Sequence, residues 1–159
     1  MAGLSLPEQV LQAARFWGLR LATAESCTGG MVAAALTDIP GSSDVFDRGF
    51  VTYSNAAKTD MLGVAPRTLA DHGAVSEEVA VQMAQGALDH SLADVAVSIT
   101  GIAGPGGSEH KPEGRVCFAI ARHGQPTRSE TVEFGALGRA QVRIAARDHA
   151  LRLILTALD

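Results

Sequence analysis

The sequence predicts an α/β protein, a three-layer sandwich with a mixed, mostly parallel central sheet flanked by helices. Strand-length apolar runs alternate with segments of helical period through roughly the first hundred residues, the pattern of βαβ units. Two segments of alternating polarity follow near the C-terminus, joined by a short turn, and add an antiparallel hairpin to the sheet. No internal repeat or linker interrupts the 159 residues, a length that suits one domain, residues 1–159, whose core needs no disulfide or metal.

Leu6 to Trp17 reads as an amphipathic helix, with Ser5 as N-cap, Pro7 just inside the start, and Val10, Leu11, Ala14 and Trp17 on one face before Gly18 ends it. Leu21 to Ala24 is an apolar run of strand length. It turns through Glu25-Ser26-Cys27-Thr28-Gly29-Gly30 into an Ala-rich helix reaching about Asp38. Pro40-Gly41-Ser42-Ser43 breaks that helix and opens a polar loop. Phe46 to Tyr53 carries the β-branched and aromatic residues of a second strand. Ser54 or Asn55 then caps a helix through Ala57, Lys58, Met61 and Leu62, which Gly63 closes. Pro66 to Gly73 reads as a short helical turn and loop. Ser76 caps the clearest helix, with Glu77 and Glu78 at its positive end and Val79, Met83, Gly86, Ala87 and Leu88 facing inward. Ala93 to Ile99 is a buried strand and Thr100 to Pro112 a glycine-rich loop. Val116 to Ala121 and Thr127 to Phe134 form the hairpin, and Leu137 to Leu158 the final helix, with Arg139, Arg143 and Arg147 on one stripe.

Composition narrows the function. Hydrophobic residues are 47% and charged residues 19%, ordinary for a globular protein. A net charge of −4 without a basic run offers no nucleic-acid surface. No apolar run approaches the ~20 residues that span a bilayer. Cys27 and Cys117 form no metal-binding spacing. With so few thiols and no signal peptide at the N-terminus, a cytoplasmic location is expected. A small, Ala-rich domain is also suited to pairing through a helix face, so a homo-oligomer is compatible with the composition.

Three strand ends bear polar, turn-forming residues: Glu25-Ser26, Tyr53-Ser54 and Ser98-Thr100. If those strands run parallel, the three ends meet at the edge where α/β sheets hold ligands. The first turn points backbone N–H groups at whatever lies above it and offers small nucleophiles; its plainer reading is a βα connection capped by Thr28. His72, His90, His110, His123 and His149 are scattered and expected to be solvated, so a lysine or tyrosine remains to activate a serine. Lys58 and Lys111 are the only lysines. Lys58 follows the second strand end, and as a base it must shed its proton well below its model value of ~10.4. We expect it at an exposed rim, where replacement costs no more than ~1 kcal/mol.

The segments Ala24–Gly30, Gly49–Asn55 with Lys58, Gly73-Ala74-Val75-Ser76 and Ser98–Pro105 together resemble the C-terminal domain of the competence-damage-inducible CinA family, in order and over roughly residues 5 to 157. Stand-alone members of that family are nicotinamide-nucleotide amidohydrolases, and this chain is expected to be that short form, without the molybdopterin-binding-like domain of the longer members. The resemblance implies metal-independent, cofactor-free hydrolysis of nicotinamide mononucleotide to nicotinate mononucleotide and ammonia, a step of pyridine-nucleotide recycling. It places the family's polar set on Ser26, Ser43, Tyr53, Lys58 and Thr100. The family's Gly-Asp-Arg before the last helix is altered here to Gly135-Ala136-Leu137-Gly138-Arg139, with Arg143 one turn on, and either arginine is expected to hold the phosphate.

Amide hydrolysis needs a nucleophile, a base that returns its proton to the leaving ammonia, and oxyanion donors. Ser26 and Ser43 share the first role, Lys58 takes the second, and Tyr53 relays or orients the proton. Cys27 ranks below the serines because strand alternation points it away from Ser26. Glu25, Thr28, Gly29, Gly30, Gly101 and Gly104 line the substrate together with Thr100. Two rivals remain: a nucleotide-binding module without turnover, and a metal-dependent pyrophosphatase drawing on Glu25, Asp44, Asp47 and Asp60.

Overall fold

In the computed structural model, residues 3–159 are described. The elements run α1 (Leu6–Trp17), β1 (Leu21–Glu25), α2 (Met31–Thr37), a 3-10 turn at Ser42–Asp44, β2 (Phe46–Val51), α3 (Asn55–Leu62), α4 (Pro66–His72), α5 (Glu77–Asp89), β3 (Val95–Gly101), β4 (Arg115–Arg122), β5 (Arg128–Glu133) and α6 (Arg139–Ala157). Each lies within a few residues of its expected place. β2 stops two residues early, so Tyr53 belongs to the connection, and the expected turn at Pro66 is a full helix. Ser5 caps α1 by accepting from the Glu8 N–H while Glu8 reaches back to the Ser5 N–H.

The sheet order is β2-β1-β3-β4-β5, with β1 parallel to both β2 and β3 and the β3-β4-β5 part antiparallel. The chain leaves β1 toward one edge through α2 and returns past it to β3 through α3–α5. β1 is therefore the switch point of the sheet, beside which a crevice opens at the C-terminal strand ends.

Strand alternation gives the two faces different characters. Leu21, Val95, Val97, Ile99, Val116, Phe118 and Ile120 meet α1, α2 and α6 on one side. Ala22, Ala24, Ala96, Ala119 and Ala121 meet Val79, Ala80, Met83 and Ala87 of α5 on the other. The alanine face lets helices approach closely. At the α3–α5 contact, a Cβ on Gly86 would run into the Leu62 carbonyl. The buried Ser98 satisfies its hydroxyl by donating to Ala80 O at 2.6 Å. No helix among the described residues is long and apolar enough to cross a membrane.

Candidate active site

A cavity of about 390 Å³ lies at the C-terminal ends of β1, β2 and β3, a size typical of small-molecule sites. Ser26 and Cys27 line it from the first strand end, Tyr53 and Lys58 from the second, Thr100 and Gly101 from the third. Arg139 and the loop to Glu109 complete its walls.

The same alternation that builds the sheet sorts the residues of the first turn. Glu25 falls on the α2–α6 side, Ser26 on the α3–α5 side and Cys27 again on the α2–α6 side, where it packs in the larger core cluster. Ser26 thus meets Lys58 of α3. Lys58 Nζ donates to Ser26 Oγ at 3.2 Å and to Thr52 O at 3.0 Å, and the residue is only 2% exposed. This overturns the exposed-rim expectation. The Lys58 side chain runs inward from α3 to the ends of the first two strands, where Ser26 and Thr52 hold its amine away from solvent. Burial lowers its pKa, because a charged amine loses its hydration; against this stand the Cys27 thiolate, which forms only at high pH, and the Glu109 carboxylate. The Cys27 thiol is itself pushed up to about 12 by burial, so it carries no charge near neutrality.

Glu25 does not reach the cavity. It is 1% exposed, and its carboxylate accepts from Thr28 Oγ1 at 2.6 Å, Val32 N at 2.9 Å and Ala33 N at 3.0 Å. The N-terminus of α2 is therefore capped by a carboxylate from the preceding strand, and its helical N–H groups are not open to an external anion. Gly30, at φ 102°, occupies the N-cap position with no side-chain bond of its own, and this conformation needs glycine. Thr28 is buried as Glu25's donor rather than as a cap. The Gly29 amide donates to Ser26 O at 3.0 Å. The amides of Cys27 and Thr28 donate to no other residue among those described.

The two arginines part company. Arg143 Nε donates to Cys27 O at 3.0 Å and Nη2 to Thr28 O at 3.4 Å, which fastens the turn after β1 to α6. Arg139 stands at the cavity mouth, donating to Gly104 O at 2.9 Å and to Tyr53 Oη at 2.7 Å. Tyr53 is 60% exposed and engaged with Arg139, not with Lys58, so its expected relay to the lysine is absent. Thr100 is buried and donates to Ala74 O at 2.8 Å, joining the third strand end to the 73–75 loop. Gly101 is small for a packing reason: a Cβ there would lie 2.7 Å from Val116 Cγ2. A Cβ on Gly104 (φ 93°) would lie 2.6 Å from the Glu113 carboxyl group.

Ser43 is not brought to this site. It is exposed on the 3-10 turn that feeds the start of β2, while Ser26 follows the end of β1; the two strands are parallel, so the serines occupy opposite edges of the sheet. The sequence offers no sign of this, because a loop between two strands can lie at either edge. His72, His90, His110 and His123 are exposed, as expected; His149 departs, half-buried, bonding Glu130 at 3.1 Å and packing on Phe118, and none of the five lines the cavity. The carboxylates of the metal-dependent alternative are spread apart: Asp44 pairs with Arg15 and Asp47 with Arg48, each at 2.8 Å, while Glu25 serves α2. Among the described residues no three His, Cys, Asp or Glu side chains converge. The sequence marks the segments holding Thr52, Ala74 and Val75 but gives these residues no role: the Thr52 carbonyl anchors Lys58, and the loop of Ala74 and Val75 walls the cavity.

A family model described as the CinA C-terminal domain matches residues 4–158. Nicotinamide-nucleotide amidohydrolase PncC of Escherichia coli (strain K12) is 63% identical over 119 residues, 74% of this chain and 72% of that protein. A CinA-like protein of Chlorobium phaeobacteroides (strain BS1) is 52% identical over 145 residues, 89% of this chain but 34% of that longer protein. Among solved structures, the competence/damage inducible protein CihA from Agrobacterium tumefaciens superposes with a TM-score of 0.92 at 49% identity, covering 96% of this chain and 93% of that one.

Proposed function

Because this chain belongs to the CinA C-terminal domain family, we propose that it hydrolyses the carboxamide of nicotinamide mononucleotide, giving nicotinate mononucleotide and ammonia. The observation that carries this reading is the buried contact of 3.2 Å between Lys58 Nζ and Ser26 Oγ on the wall of the cavity. A serine needs a base to attack an amide, and a lysine becomes one when burial holds its amine neutral.

Neutral Lys58 takes the hydroxyl proton as Ser26 Oγ bonds to the carboxamide carbon. The Cys27 amide, on a residue that lines the cavity and with no other acceptor among the described residues, would serve as donor to the oxyanion that forms. Lys58 then returns the proton to the nitrogen, the C–N bond breaks, and ammonia leaves an ester on Ser26. Water, deprotonated by Lys58, attacks that ester and releases the nucleotide acid, with the proton going back to Ser26. Arg139, at the mouth, offers its guanidinium to the 5′-phosphate, and Tyr53 orients it. Arg143 and Glu25 hold the turn in shape. The test is ammonia release from nicotinamide mononucleotide with EDTA present. Undiminished release supports the proposal, binding without release favours a non-catalytic module, and loss on chelation favours a metal enzyme.

A further inference from the structure

One carboxylate, Glu109, lines the cavity, and the mechanism above leaves it unused. Its position is held by unusual means. Ser108 and Lys111 exchange backbone hydrogen bonds of 3.0 and 2.8 Å, so Glu109 and His110 are the two central residues of a tight turn. Both have positive φ, 51° and 62°. Such turns favour Asn-Gly, and side chains like these are disfavoured in that region. Local preference therefore does not put a glutamate there; the surroundings impose it. Lys111 clamps the turn by donating to His72 O at 2.7 Å and Val75 O at 2.6 Å. The Glu109 carboxylate and the Lys111 ammonium both lie beside Gly73, where a Cβ would strike the carboxylate and stand 3.0 Å from Lys111 Nζ; the two are neighbours without forming an ion pair. Glu109 has no ion-pair partner among the described residues. Its charge reaches Lys58, whose hold on a proton it strengthens against the opposing effect of burial.

The cavity thus carries an unpaired carboxylate on one loop and the Arg139 guanidinium on α6. We infer that Glu109 is a specificity-determining residue that reads the fixed positive charge of a pyridinium ring. The inference rests on the nucleotide-amide reading. A nicotinamide ring joined to ribose through its nitrogen is a permanent cation, and its phosphate is an anion, so substrate and cavity both carry charges of both signs. The 1,4-dihydro form of the same nucleotide keeps the carboxamide and phosphate but has a neutral ring. Glu109 would select against it.

The experiment uses Ser26→Ala protein, which holds the nucleotides without turnover. Titration calorimetry compares nicotinamide mononucleotide with its dihydro form, in this variant and in Ser26→Ala/Glu109→Gln. The first is expected to prefer the cation by about tenfold, equivalent to ~1.4 kcal/mol. Glu109→Gln should bring the ratio to within about twofold of unity, and Glu109→Asp, which keeps the charge, should retain most of the preference. An unchanged ratio in the Gln variant, no preference at the outset, or no binding of either nucleotide would each overturn the inference. Ammonia release by the wild-type protein is the separate arm that decides whether the amidase reading survives that result.

Discussion

Lys58 Nζ and Ser26 Oγ face one another at 3.2 Å inside the protein, with Thr52 O as the only other partner of the amine and no carboxylate paired to it among the described residues. An ion-paired lysine is a structural cation. A desolvated one beside a hydroxyl is poised to take a proton.

This arrangement fixes how stability and activity respond to pH. The folded lysine binds its proton less readily than the unfolded one, so between its lowered value and the ordinary 10.5 the unfolded chain holds more protons. Wild-type stability should therefore rise with pH through that window. Lys58→Met lacks the effect. Its Tm at pH 7 should match or exceed that of the wild type, and the wild type should gain on it as pH climbs. Turnover in the variant should fall about 10²–10⁴-fold, the usual worth of a general base. Parallel Tm curves for the two proteins would contradict the account.

Glu25→Gln should slow turnover while leaving KM nearly unchanged. The amide keeps one oxygen acceptor but cannot serve Thr28 Oγ1, Val32 N and Ala33 N at once. Glu25→Ala should also destabilise the fold by about 1–3 kcal/mol, since buried donors lose their partner. Urea unfolding and steady-state kinetics on both variants check this. A rise in KM with kcat unchanged would instead mean that Glu25 binds substrate.

Much of this was legible in advance, and the misses have physical causes. Parallel strands ending in Glu25-Ser26 and Ser98-Thr100 could be read from apolar runs and turn residues, because those patterns are local. What Glu25 does could not, since its partners at Val32 and Ala33 depend on how tightly the turn winds back. Nor could the burial of Lys58, whose partners Ser26 and Thr52 follow two different strands that only the folded sheet brings together. Ser43 was misplaced for a related reason: sequence records that a loop joins two strands, not which edge of the sheet it crosses.

Gly86→Ala should destabilise the protein by about 1–3 kcal/mol, the usual cost of overpacking, although alanine is the better helix former. Its Cβ has no room against the Leu62 carbonyl. The shift would be read from the midpoint of thermal unfolding, and because α3 carries Lys58, activity should fall with it. A stabilised variant would show that the α3–α5 contact is looser than described.

Cys27→Ala should keep activity within about threefold of wild type. Its thiol is pushed up to about 12 by burial and is not a nucleophile near neutrality. Iodoacetamide at pH 8 should accordingly label the folded protein slowly. Rapid labelling with loss of activity would reopen the case for a thiol mechanism.

The most direct measurement traps the intermediate. Wild type, Ser26→Ala and Ser43→Ala are each mixed with nicotinamide mononucleotide, quenched in acid and analysed by peptide mass spectrometry. The account predicts a nucleotide ester on the peptide containing Ser26 in wild type and Ser43→Ala, with ammonia release within about threefold between them, and neither adduct nor turnover in Ser26→Ala. An adduct on Ser43, or sustained turnover without Ser26, would contradict it.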